Sequence, residues 1–148
     1  MKTFRHRRLI LKMSARKGAA AVEFALLLPL LFTMVLGLME IGRGAMVSKT
    51  LDNAVRNGAQ VAAQSNSSNA TVISRINSVL TANNITAANA TITIKVKDVV
   101  ADVSTANPND KISITVSISV SSASLTNFCV SLYQNMTFSS TLTVLRQG

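Results

Sequence analysis

Gly18 and Glu23, spaced by Ala19-Ala20-Ala21-Val22 and followed by Phe24, are the residues whose types and spacing could carry chemistry. The basic pair Arg16-Lys17 precedes them, and an apolar block ending at Met39 follows. An ionised side chain in a membrane-spanning helix costs about 2.5–3.5 kcal/mol at the helix centre and less near the end. A carboxylate kept at the edge of such a block is therefore kept for a task. The pattern points to processing and assembly rather than to catalysis.

The rest of the sequence offers no competing chemistry. His6 is the only histidine and sits in a basic tail, without a partner for acid–base or metal work. Asp98, Asp102 and Asp110 lie near a turn and could loosely hold a cation, but their spacing does not fit a calcium loop. Cys129 is the single cysteine. It permits no intrachain disulfide, has no histidine to activate it, and reads as a small buried hydrophobe. There is no glycine-rich phosphate loop and no zinc spacing. Five Asn-x-Ser/Thr triplets, at Asn66, Asn69, Asn84, Asn89 and Asn135, are what a region this rich in Asn, Ser and Thr gives by chance. An enzyme is not expected, nor a cofactor, a metal or a small-molecule substrate.

Charge and hydropathy set the class. At 148 residues the chain holds one domain plus extensions. Its net charge of +9 is concentrated at one end: seven of the fifteen bases precede Gly18, and no acid does. From Ala19 onward eight bases face six acids, a net of +2. A nucleic-acid protein would carry its basic surface on the folded domain. Here the basic tail acts instead to retain the N-terminus in the cytoplasm. Ala19 to Met39 is about 31 Å long as a helix, the hydrocarbon thickness of a bilayer. A cleaved secretory signal would need a small-x-small site after this run. Gly42-Arg43-Gly44, with Glu40 nearby, makes a poor one.

The elements that must position Glu23 follow from periodicity. Val47, Leu51, Val55, Gly58 and Val61 or Ala62 recur at three- and four-residue spacing, so one helix runs from about Ala19 to Gln64. Pro29 removes a backbone donor within it and is expected to kink it. Arg56 reads as solvated, and Gly58 as a close contact between helix and sheet. Ser65-Asn66-Ser67-Ser68-Asn69 breaks the helix, and Val72, Ile73, Ile76, Val79 and Leu80 mark a second, shorter one. Three strands follow. Ile92/Ile94/Val96, then Ile112 to Val120, then Met136/Phe138/Leu142/Val144 alternate with hydroxyl residues, with Ser140 out of pattern. Asn107-Pro108-Asn109-Asp110 supplies a turn between the first two. Leu125, Phe128, Cys129, Leu132 and Tyr133 have the spacing of a short helical turn before the last strand. The expected fold is α+β and pilin-like. It has a long N-terminal transmembrane helix, a short second helix and a small antiparallel sheet of about three strands, covered on one face. The divisions are a basic leader at 1–18, a transmembrane helix at 19–39, its extracytoplasmic continuation at 40–64 and an α+β domain at 65–148.

The glycine, four residues and Glu-Phe at the head of an apolar helix resemble the prepilin peptidase site of type IV pilin-like proteins. Gly18 to Ala25, Pro29, Gly37, Glu40, Gly42-Arg43 and Leu51-Asp52-Asn53-Ala54-Val55-Arg56-Asn57-Gly58-Ala59 together resemble the TadE-like pseudopilins of the tight-adherence (Flp) pilus. This resemblance covers about Arg16 to Ala63. It implies cleavage between Gly18 and Ala19 by a prepilin peptidase on the cytoplasmic side, making Glu23 the fifth residue of the mature chain and Phe24 the aromatic that follows it. It also implies a minor pilin or pseudopilin in a bacterial inner membrane, N-terminus in and C-terminal domain out, with other Flp pilins and the assembly machinery as partners. Translation could start at Met1 or at Met13.

The physical chemistry agrees with a role for Glu23. A carboxylate in the first turn or so of a helix is favoured by the macrodipole. After cleavage the new amine of Ala19 lies one turn earlier, on the same chain or a packed neighbour, and pairing in low dielectric offsets part of the cost of burying both charges. The rival is an uncleaved single-pass anchor with an extracytoplasmic binding domain, in which Glu23 rests in the headgroup layer.

Overall fold

The computed structural model describes the backbone of residues 4–123 and 135–147, with side chains from Gly18 onward. Helix α1 spans Phe4–Ala62, beginning well before the expected Ala19. The physical reason is that Phe4 to Lys17 contains no glycine or proline and is rich in Arg, Leu and Lys, all good helix formers. The helix is continuous through Pro29. The chain divides into two compact units, Met1–Met39 and Glu40–Gly148.

In the first unit every residue from Gly18 to Val35 is exposed, Leu26 and Phe32 included. From Gly18 onward α1 is long and apolar enough to cross a membrane, and its most apolar stretch has no protein cover.

The second unit is an α+β domain. Helix α2 spans Asn69–Ala82, and the strands are β1 (Ala90–Val96), β2 (Val99–Val100), β3 (Lys111–Ser119) and β4 (Thr137–Leu145). A single turn, α3 (Val120–Ala123), follows β3. The sheet is antiparallel in the order β2-β1-β3-β4, one short strand more than the three expected. That strand escapes the alternation test because it is two residues long. A tight turn creates it: Lys97 and Asp98 both take positive φ, 51° and 67°, as a two-residue hairpin of right-handed strand twist requires. The Asn107–Asp110 turn therefore leads into β3 from β2 rather than from β1.

The two periodicities meet in one core. Val47, Leu51, Ala54, Val55, Ala59 and Ala62 of α1 are buried, which resolves the choice at the helix end in favour of Ala62. Val72, Ile76 and Leu80 of α2 join them, as do Ile94, Val96, Ile112, Ile114, Val116 and Ile118 of the sheet. Each fully buried Leu or Ile contributes about 1.5–3 kcal/mol, so this cluster dominates the stability of the unit. The opposite face of the sheet carries Ser and Thr in register, with Thr115 and Thr141 paired at 2.8 Å between hydroxyls.

The helix ends are set by local chemistry. Ser68 caps α2 in a reciprocal box with Thr71. Asn84 (φ 58°) ends α2 in a left-handed turn, with the Ile85 and Asn84 amides donating to the carbonyls of Leu80 and Thr81. Gly58 packs against α2, not the sheet: a Cβ there would lie 2.7 Å from Cγ1 of Ile76. The sequence could not choose between the two layers, because both present aliphatic residues. Leu125, Phe128, Cys129, Leu132 and Tyr133 lie outside the described residues.

Candidate processing and assembly site

Gly18, Ala19, Glu23 and Phe24 all lie on α1 and all are exposed, Phe24 at 60 %. Ala19 and Glu23 are four residues apart, so they share one helix face with an axial separation of about 6 Å. A Cβ added to Gly18 would meet nothing within 4 Å. The Gly18–Ala19 bond lies inside continuous helix, because the leader is itself helical. The segment thus presents a carboxylate, an aromatic ring and an uncrowded glycine on the surface of an apolar rod, where another molecule can reach them.

The second unit anchors the far part of α1 through residues whose partners lie more than 75 positions on. The Arg43 guanidinium donates through Nε to the Ala123 carbonyl at 3.2 Å. Gly44 faces the Phe138 ring, whose Cζ would be 3.1 Å from an added Cβ. Ser140, the residue out of pattern in β4, donates to Oδ1 of Asp52 at 2.6 Å. A serine on the inward-facing side of β4 is explained by an acid on the helix that crosses it.

Arg146, 5 % exposed, was not singled out by sequence reasoning. It donates to the Ala62 carbonyl at 3.0 Å, to the Ser67 hydroxyl at 2.7 Å and to the Ser65 carbonyl. The Gln147 amide donates to the Ala63 carbonyl at 2.9 Å. A guanidinium against the last carbonyls of a long helix meets both their unspent acceptor capacity and the negative end of the macrodipole. Its only advance signal is a lone base at the end of an apolar strand.

The three aspartates considered for a cation have separate structural work. Asp102 accepts from the Ser104 amide at 2.8 Å and the Asn69 amide at 3.4 Å, fixing the start of α2 to the loop after β2. The Ser104 hydrogen bonds hold its carboxyl below the ordinary aspartate value. Asp110 accepts from the Asn107 amide at 2.8 Å and pairs with Lys97 at 3.0 Å. Its carboxyl is also held low, first by the Asn107 amide and then by the lysine. Asp98 takes the second left-handed position of the β1–β2 turn.

Together these features define a class: an α+β domain with a one-sided antiparallel sheet, carried on an N-terminal helix that has the length and apolarity of a membrane anchor. Residues 18–60 match the family model described as TadE-like protein, a similarity confined to that segment of the chain. No curated protein and no solved structure matches it. The match begins at Gly18 and includes Glu23, Arg43, Gly44, Asp52 and Gly58, whereas Ile76, Ala123, Phe138 and Ser140 lie beyond it. That similarity points to a pilus-associated protein.

Proposed function

We propose that this chain is a minor pilin or pseudopilin of a Flp/Tad-type pilus, cut between Gly18 and Ala19 by a prepilin peptidase and assembled through Glu23 and Phe24. The observation that carries the reading is the Gly18–Glu23 spacing at the head of an exposed apolar helix, where the TadE-like match also starts. Seven bases ahead of Gly18 favour a cytoplasmic N-terminus, hence insertion in the inner membrane with the second unit outside. The protein serves pilus biogenesis and adhesion and does no chemistry of its own. Because α1 runs through Gly18-Ala19, the peptidase must unwind about a turn there, and a glycine lowers the cost of doing so.

The continuous helix across that bond also favours a second reading, an uncleaved single-pass anchor with an extracytoplasmic binding domain. Mass spectrometry of protein extracted from membranes of peptidase-expressing cells separates the two. A chain beginning at Ala19 is expected. An intact leader would refute the pilin reading and leave the anchor.

A further inference from the structure

A groove of about 860 Å³ lies where the end of α1 meets the first turns of α2. That size is in the range of small-ligand sites, which run to roughly 300–1,000 Å³. Val61 contributes apolar surface, and Gln64, Asn66, Ser74, Arg75 and Ser78 line the groove with amides, hydroxyls and a guanidinium. One cation and no carboxylate line it.

Much of this hydrogen-bonding capacity is unspent. The Arg75 guanidinium donates from Nη2 to Oδ1 of Asn57 at 2.8 Å, which fixes its position and uses one of five N–H groups. Ser78 spends its proton on the Arg75 carbonyl at 2.8 Å and keeps its acceptor lone pairs. The side chains of Gln64, Asn66 and Ser74 make no hydrogen bond among the described residues. Side-chain amides offer a donor and an acceptor side by side, matching vicinal hydroxyls, while a held guanidinium matches a carboxylate through two parallel bonds. Aromatic ligands fit poorly, since no aromatic ring lines the walls. Val61 lies 21 residues beyond Glu40, about 32 Å along α1, so the groove is at the end of the domain helix remote from Glu40.

We propose that this groove binds an acidic saccharide, a uronic-acid unit of a polysaccharide, with its carboxylate on Arg75 and its hydroxyls on Gln64, Asn66 and Ser74. The inference is independent of whether the Gly18–Ala19 bond is cut. The test is titration of the full chain in detergent micelles with tri-galacturonate, maltotriose and citrate, followed by amide chemical shifts. Tri-galacturonate is expected to give saturable shifts confined to Gln64–Ser78, with maltotriose and citrate at least tenfold weaker. Arg75→Gln should weaken tri-galacturonate at least tenfold, Ala70→Trp should abolish binding by filling the groove, and Arg56→Gln should leave it unchanged. Shifts located elsewhere, or binding that survives Ala70→Trp in a variant with unaltered circular dichroism, overturn the site. Equal affinity for maltotriose or for citrate overturns the ligand class.

Discussion

Replacing Gly58 by alanine sets two opposing effects against each other, and the structure decides between them. Alanine is favoured over glycine inside a helix by about 0.8–1 kcal/mol. Were Gly58 exposed, the substitution would stabilise the protein. It is buried, and the new methyl would sit 2.7 Å from Cγ1 and 2.8 Å from Cδ1 of Ile76, with Cγ1 of Val72 at 3.6 Å. Cδ1 can swing away, but Cγ1 is attached directly to the branch point and moves only with the rotamer or the backbone of α2. Overpacking of this kind costs about 1–3 kcal/mol, so the net effect is a loss of up to about 2 kcal/mol. Urea unfolding of the detergent-solubilised chain, followed by far-ultraviolet circular dichroism, reads it as a lower midpoint at constant m-value. The cause is isolated by the double-mutant cycle with Ile76→Ala, which alone costs about 2–5 kcal/mol. In that background both clashing atoms are gone. Gly58→Ala should then regain its helical advantage and stabilise by about 1 kcal/mol, a coupling of about 1–3 kcal/mol. Stabilisation by Gly58→Ala alone, or simple additivity with Ile76→Ala, would refute the packing argument.

Arg146→Ala removes the guanidinium from the Ser65 carbonyl and takes one of two donors from the Ala62 carbonyl, which keeps the Ser67 hydroxyl at 3.2 Å, and should cost about 1–3 kcal/mol in the same assay; Arg146→Lys should fall between, because it keeps the charge but loses the fork. Asp102 and Asp110 both have depressed folded-state values, so their contribution is complete above the unfolded aspartate value of about 3.9 and is lost as pH falls through the folded values. Unfolding midpoints should therefore drop below about pH 4, with a shallower drop in Asp102→Asn; an unchanged slope in that variant would remove Asp102 from the account. For assembly, Glu23→Gln should insert and be cleaved normally yet fail in pilus output and co-purification with partner pilins, whereas Glu40→Gln should retain both. The reverse pattern would mean that the assembly carboxylate has been wrongly assigned.

Periodicity alone determined the layers of this protein. Alternation at Ile92–Val96 and Ile112–Ile118 and the three-four spacing from Val47 to Ala62 record which side of each element must leave water, and burial follows them except at Ile92, which is only half-buried. The Gly18–Glu23 spacing is likewise a local feature, lying along one helix ahead of the apolar run, and the fold leaves both residues exposed on α1. Partner choice was not. Gly58 announces a close approach but not whether it is to sheet or helix, and only the position of α2 assigns it to Ile76. Ser140 looks like an error of alternation until Asp52 is placed above it, and Arg146 looks like a stray surface base until the end of α1 arrives beside it. The two-residue β2 and the Lys97-Asp98 turn were hidden because neither residue is the glycine or asparagine that usually marks positive φ. The physical reason is common to all of these. Hydrophobic burial is set by each residue's own side chain and its period, so it is written locally. A hydrogen bond or a steric limit belongs to a pair, and the second member of the pair is chosen only when distant segments meet.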